Sequence, residues 1–193
     1  MKLDIHPLTR DRWPDLVELF SRPGGSIVRG CYCMYYRKAG PTPPGAREAN
    51  KKAMESLVAS GYVPGLIAYQ EGTPVGWISL SPREDYGRLK SSPVMKPVDD
   101  KPVWSIVCFY VDRRSRGQGV SGKLLTAAID YARSRGARLL EAYPIDKANR
   151  SHPDFMFFGA KSMYDRAGFR EVARRTDTRP VVRRALRPPR KKT

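Results

Sequence analysis

The residues best equipped for chemistry lie together, between positions 109 and 125. They read Phe109-Tyr110-Val111-Asp112-Arg113-Arg114-Ser115-Arg116-Gly117-Gln118-Gly119-Val120-Ser121-Gly122-Lys123-Leu124-Leu125. An apolar run gives way to a basic, glycine-rich turn, which opens an amphipathic stretch. A helix starting there leaves its first amides without partners and turns the positive end of its dipole toward the turn. Glycine allows the main chain to approach an anion closely, and successive N–H groups form a nest for it. Arg113, Arg114 and Arg116 add charge-assisted hydrogen bonds. The chemistry implied is recognition of a phosphate or diphosphate.

Two common phosphate motifs fit this segment less well. The Walker spacing, with Gly-Lys-Ser/Thr following four residues after a first glycine, is absent. Gly117-Gln118-Gly119-Val120-Ser121-Gly122 spells the dinucleotide fingerprint, but no early strand precedes it and no clear ribose-binding acid follows, although Glu141 lies near the expected distance.

Arg114-Ser115-Arg116-Gly117-Gln118-Gly119 resembles the Arg/Gln-x-x-Gly-x-Gly/Ala loop of the GNAT superfamily of N-acetyltransferases. The resemblance implies acetyl-CoA as co-substrate, with its pyrophosphate on the amides and side chains of Arg114, Arg116, Gly117, Gln118, Gly119, Val120 and Ser121. It also implies a bulged strand whose backbone around Phe109, Tyr110 and Val111 pairs with the pantetheine arm. Tyr164-Asp165-Arg166-Ala167-Gly168-Phe169 is similar to a second family segment, Tyr-x-x-x-Gly-Phe. In that family the tyrosine protonates the departing CoA thiolate, and a phenol protonated at neutral pH suits the task. Many relatives carry Asn seven residues before the tyrosine; here that position is Phe157, while Ala160 is retained. The apolar run Phe155-Met156-Phe157-Phe158 therefore alters the pantetheine contacts or lines an acceptor pocket. The resemblance covers residues 100–170 well and the first hundred only in outline.

Attack on a thioester needs a neutral amine, so an ammonium acceptor must first give up a proton to a base. Glu141, Asp146 and Glu84 are the candidates, in that order, and each is equally explained as a solvated or paired acid. Cys31 and Cys33 could take an acyl group covalently, but no His or Asp pattern supports that, and packing explains them better. Tyr32, Tyr35, Tyr36 and Arg37 form either a stacking surface for a planar acceptor or an ordinary apolar edge.

The elements that must hold these groups follow from periodicity. Alternation predicts strands over 2–8, 65–70, 75–80 and 138–143, with 65–80 a hairpin. Residues 103–111 are apolar almost throughout, as a central strand buried on both faces should be. Helices are predicted over 12–21, 47–60, 121–135 and 157–167, each ended by glycine or a Pro-Gly-Gly turn. Residues 26–45 have no clear assignment, and 81–100 and the stretch through Pro153 read as loops. Residues 169–176 and 179–186 form a closing hairpin. The fold class is α/β (α+β): a mixed, mostly antiparallel central sheet flanked by helices, GNAT-like, with residues 1–186 as one domain and 187–193 as a basic tail.

Composition bounds the partners. The 193 residues carry a net charge of +17, and residues 170–193 hold ten basic residues against Glu171 and Asp177. Such a balance favours a phosphorylated cofactor, an acidic substrate or nucleic acid. The tail Arg187-Pro188-Pro189-Arg190-Lys191-Lys192 sustains a second reading, a nucleic-acid- or ribosome-associated protein that keeps the fold. Three cysteines and two histidines are too few for a structural metal or a disulfide framework. No run reaches the length of a membrane helix, and the N-terminus lacks a secretory apolar region. The expectation is a cytoplasmic monomer or homodimer that uses acetyl-CoA and a primary amine, without metal and without a membrane.

Overall fold

The computed structural model describes residues 2–40, 43, 45–147 and 156–186. The expected basic tail, 187–193, and most of the loop before Met156 lie outside the described residues.

Seven strands form one sheet: β1 (Asp4–Pro7), β2 (Gly65–Gln70), β3 (Thr73–Pro82), β4 (Trp104–Val111), β5 (Leu139–Ala142), β6 (Arg170–Arg174) and β7 (Pro180–Ala185). Their order is β1-β2-β3-β4-β5-β7-β6. β4 and β5 run parallel, and the other pairs run antiparallel. Helices α1 (Trp13–Ser21), α2 (Ser26–Cys31) and α3 (Ala46–Ala59) cover one face. Helix α4 (Val120–Ser134) and the short α5 (Lys161–Arg166) cover the other. This is the mixed, helix-flanked sheet that the sequence predicts.

Each face has its own apolar core. Leu16, Leu19, Phe20, Met54 and Trp77 lie in one, and Leu124, Leu125, Ala128, Ile129 and Ala132 bring the whole inner stripe of α4 to the other. Fully burying one such side chain stabilises the fold by about 1.5–3 kcal/mol.

Two features of the sheet make room for a site. The parallel pair β4–β5 is short, with Trp104, Ser105 and Ile106 facing Leu140, Glu141 and Ala142. Beyond it the strands part, and the outer edge of β4 loses its neighbour. β4 also bulges: Ser79 faces Cys108 while the next residue, Leu80, faces Ile106, so Val107 is extra. A bulge re-aims side chains. Val107 and Cys108 consequently both belong to the α1–α3 side, whereas Ile106 and Phe109 belong to the α4 side.

The helix expected over 157–167 is a correction. Only Lys161–Arg166 is helical, because Gly159 has a φ of +78° and Ala160 is extended at φ −79°, ψ 143°. Residues 156–160 instead run along the gap, where Ala160 makes a parallel bridge with Ile145. The unassigned stretch after residue 25 contains α2, which ends in two left-handed residues, Tyr32 and Cys33.

Candidate active site

Gly117 and Gly119 take left-handed conformations, φ +78° and +77°, and α4 begins directly after them. The first helical bond runs from the Lys123 amide to the Gly119 carbonyl at 3.2 Å, so the amides of Val120, Ser121 and Gly122 lie ahead of it. Among the described residues, and apart from the local chain itself, nothing lies within 4 Å of a Cβ built on Gly117, Gly119 or Gly122. These glycines therefore face open space at the helix start, where a diphosphate held by main-chain amides would lie. The turn itself is braced from below. Buried Asp112 accepts the Arg114 amide at 2.9 Å, and Arg22 donates to the Pro74 carbonyl at 2.7 Å while facing Asp112 at 3.5 Å. With Asp112 countered by Arg22, the positive character of the turn is left for an incoming anion.

Of the residues expected to bind the cofactor, Phe109, Tyr110, Val111, Arg116, Gly117 and Ser121 line one cleft of about 370 Å³. Arg114, Gln118, Gly119 and Val120 do not line it. The Gln118 amide donates back to the Arg114 carbonyl at 3.0 Å, and the Val120 side chain is buried under α4. Arg116 reaches back to the Val111 carbonyl at 3.2 Å, with Gly24 beside its guanidinium. Met156 and Phe157, from the apolar run singled out in the sequence, line the cleft too, whereas sequence reasoning missed Gly24, Ile27 and Val28 on one side and Gly159 and Met163 on the other. The Pro23-Gly24-Gly25 run marked only a helix end, with no sequence signal that it touches the phosphate turn.

Tyr110 faces Trp77 across β3, so by alternation the main-chain groups of Phe109 and Val111 point toward the cleft. The Phe109 amide is already taken by the Phe157 carbonyl at 2.6 Å. A pantetheine arm adding itself as a strand would use that amide only after Phe157 moves. The Tyr110 hydroxyl is buried with no hydrogen-bond partner among the described residues. An unsatisfied buried hydroxyl costs about 1–3 kcal/mol. Tyr110→Phe is expected to keep or raise the melting temperature. A melting temperature lowered by several degrees would show that the hydroxyl does have a partner in the fold.

Tyr164 sits on α5, wholly buried, with its ring edge-on to Phe109 and Phe169 at centroid distances of 6.3 and 5.1 Å. Its hydroxyl donates to the Phe158 carbonyl at 3.0 Å. Burial pushes its pKa up, so the phenol stays protonated through neutral pH and suits an acid rather than a base. Tyr164 lies one layer behind the cleft wall. A Cβ on Gly159 would approach its ring at 3.3 Å, and Gly159 itself lines the cleft.

Two of the three acids considered as bases are otherwise engaged, and the third lies exposed away from the cleft. Glu141 is fully buried and receives hydrogen bonds from Arg83, from Tyr143 at 2.6 Å and from Arg183 at 2.8 Å. Arg183 continues to Asp99 at 2.7 Å, and the Tyr143 hydroxyl lies 3.0 Å from that of Ser105. The network ties β4, β5, β7 and the 83–103 loop together at the point where the sheet parts. Breaking a buried pair from one side costs about 3–5 kcal/mol, because a charge is left uncompensated. Glu141→Ala should accordingly lower the melting temperature by about 10 °C. Turnover of the folded enzyme at low temperature should change little; a normal melt with collapsed turnover would make Glu141 a base after all. Asp146 pairs with Arg174 at 2.6 Å, and Glu84 is exposed. Neither lines the cleft.

Cys31, Cys33 and Cys108 are all free thiols. The Cys33 amide donates to the Cys31 sulfur at 3.4 Å, and the Trp77 indole donates to the Cys33 sulfur at 3.2 Å. Cys33 raises the pKa of Cys31, and Cys108 raises that of Cys33, in both cases with burial adding to it. Neutral thiols are poor nucleophiles. Among the described residues, no group of three or more His, Cys, Asp or Glu is placed to hold a metal, and no helix is long and apolar enough to cross a membrane.

Comparison with solved structures finds the same fold at low identity. The PaiA N-acetyltransferase of Thermoplasma acidophilum, solved with coenzyme A, is 15% identical with a TM-score of 0.53, covering 96% of this chain and 99% of that one. A Drosophila melanogaster polyamine N-acetyltransferase that forms N-acetylagmatine is 14% identical, TM-score 0.57, covering 96% and 100%. A Brucella melitensis ribosomal-protein-alanine N-acetyltransferase is 18% identical, TM-score 0.55, covering 95% and 99%. No curated protein matches the chain in sequence. The model of the acetyltransferase (GNAT) family matches residues 28–169, from within α2 to the end of the Tyr164 segment. That match takes in well over half of the chain, and the chain therefore belongs to the GNAT family of acetyltransferases.

Proposed function

We propose that the protein transfers the acetyl group of acetyl-CoA to a primary amine within one ternary complex. Family membership carries the general activity, acetyl transfer. The observation that supports this donor is the start of α4, where left-handed Gly117 and Gly119, beside the first amides, face open space among the described residues. The diphosphate rests there beside Arg116, and the arm runs along the β4 edge toward the bulge at Val107. The amine lone pair attacks the thioester carbonyl, the C–S bond breaks, and the thiolate takes a proton from Tyr164. The amine loses the proton that the new amide cannot keep. A covalent acyl-cysteine has no support from thiols held neutral. The nucleic-acid reading rests on composition and not on the geometry of this site.

Purified protein should bind acetyl-CoA saturably in a calorimetric titration and release free CoA when an acceptor amine is added. Initial rates against both substrates should give intersecting lines. Parallel lines would replace the ternary complex with a covalent intermediate, and absence of acetyl-CoA binding would overturn the reading.

A further inference from the structure

A second cavity, of about 320 Å³, continues the cofactor cleft toward the bulge of β4. Ile27, Val28 and Phe157 line both cavities, so the two meet at a shared wall. Along β4 the order is the phosphate turn, then Val111 to Phe109 in the cleft, then Cys108 and Val107 in the second cavity. An arm laid along that edge from the phosphate end brings its thioester to the mouth of this cavity. The bulge puts both Val107 and Cys108 on this face, since a regular strand would alternate and turn one of the two to the α4 side.

We infer that this cavity is the acceptor site and that it takes an uncharged aromatic amine, one whose amino group carries no proton at neutral pH. The inference rests on the proposed acetyl transfer and names its substrate class. Its walls among the described residues are Cys31, Cys33, Tyr35, Tyr36, Val107 and Cys108, with the three shared residues; no carboxylate, imidazole, ammonium or guanidinium is among them. Neighbouring sulfur and burial raise the pKa of Cys31 and Cys33, and burial raises that of the Tyr36 phenol as well. An ammonium entering such walls gives up its hydration for no opposite charge, which is costly. A planar ring finds edges and faces instead. Tyr35 and Tyr36 stand edge to face at 4.9 Å, and Phe157 lies against Phe158 at 4.5 Å. The volume is at the lower end for small-molecule sites, suited to one or two fused rings rather than a peptide.

The proton balance agrees with this class. The nitrogen of a neutral aromatic amine forms the new C–N bond with its own lone pair, and the C–S bond breaks. The one proton that nitrogen sheds equals the one the thiolate gains through Tyr164. No net proton is released, so the step needs no carboxylate to prepare the nucleophile. An alkylammonium acceptor would release one proton to solvent and would need such a group.

The test measures acetyl-CoA binding by calorimetry and then CoA release with 4-methylaniline, 2-naphthylamine, spermidine and a lysine peptide. The aromatic amines should be turned over with kcat/KM about tenfold or more above the two alkylamines. Cys31→Phe, which fills the cavity, should lower kcat/KM for 2-naphthylamine by about tenfold or more while the Kd for acetyl-CoA stays within about twofold. Normal acetyl-CoA binding with spermidine or the lysine peptide as the better acceptor overturns the inference and leaves the acetyl-transfer reading standing. So does normal binding with no turnover of either aromatic amine. Failure to bind acetyl-CoA removes both. If Cys31→Phe does not fold, Val28→Phe, in the wall shared by both cavities, should weaken acetyl-CoA binding and aromatic turnover together, and an unaffected aromatic rate would overturn the assignment.

Discussion

Gly117→Glu should raise the Kd for acetyl-CoA by about 100-fold or more, close to 2.7 kcal/mol, and leave a folded protein. Gly117 lines the cleft at φ +78°, and apart from the local chain no described residue lies within 4 Å of a Cβ there. The new side chain therefore starts out into open space among the described residues. Its backbone cost is that of a non-glycine residue in the left-handed region, about 1–2 kcal/mol. The added carboxylate lies at the start of α4, where the unpaired amides and the helix dipole favour a negative charge, so part of that strain is offset. The same event excludes the diphosphate, because the carboxylate occupies its amides and repels its charge. Gly117→Ala separates the two effects: it carries the strain without the charge. It should lose stability similarly and bind acetyl-CoA within about tenfold of the parent. Equal Kd values for the parent and Gly117→Glu, measured by calorimetry on protein with a cooperative melt, would empty the cradle of its role.

The cradle was legible in the sequence because its determinants are contiguous: glycines at 117 and 119, arginines around them, an apolar strand before and an amphipathic helix after. The strands were legible for the same reason, since alternation and continuous apolar runs are local signals. What escaped was set by partners far along the chain. Glu141 was legible as an acid near the cofactor strand. Its guanidinium neighbours, Arg83 and Arg183, lie 58 and 42 residues away, and they turn it from a candidate base into a tie across the sheet. The helix predicted from residue 157 starts only at Lys161, because Phe157 and Phe158 lie in a turn whose Phe157 carbonyl accepts the Phe109 amide, and Ala160 bridges to Ile145. The bulge at Val107 has no residue signature, because a valine in a buried run reads the same paired or unpaired. With it went the position of Cys108, and hence the fact that cysteines 31, 33 and 108 converge on one cavity.

Tyr164→Phe should lower kcat by about 10²–10³-fold while the Kd for acetyl-CoA stays within about twofold. The substitution removes one oxygen. The phenylalanine ring still packs edge-on to Phe109 and Phe169, so the core it fills is kept. The lost bond to the Phe158 carbonyl costs about 0.5–1.5 kcal/mol, a small loss in melting temperature for a chain of this length. Binding should be spared because Tyr164 is not part of the cleft lining; Gly159 stands between. The rate should not be spared. In the proposed mechanism the leaving thiolate takes its proton from the Tyr164 phenol, which must first give up its bond to the Phe158 carbonyl. The pH profile carries the sign. Burial raises the pKa of Tyr164, so the acid form persists well above neutrality, and the parent rate should not fall between about pH 7 and 9 through loss of that proton. In Tyr164→Phe the thiolate must take its proton from water, and acceptor-independent properties such as acetyl-CoA affinity should remain those of the parent. A variant with parental kcat would take Tyr164 out of the mechanism and leave it as a core residue that anchors the Phe158 carbonyl.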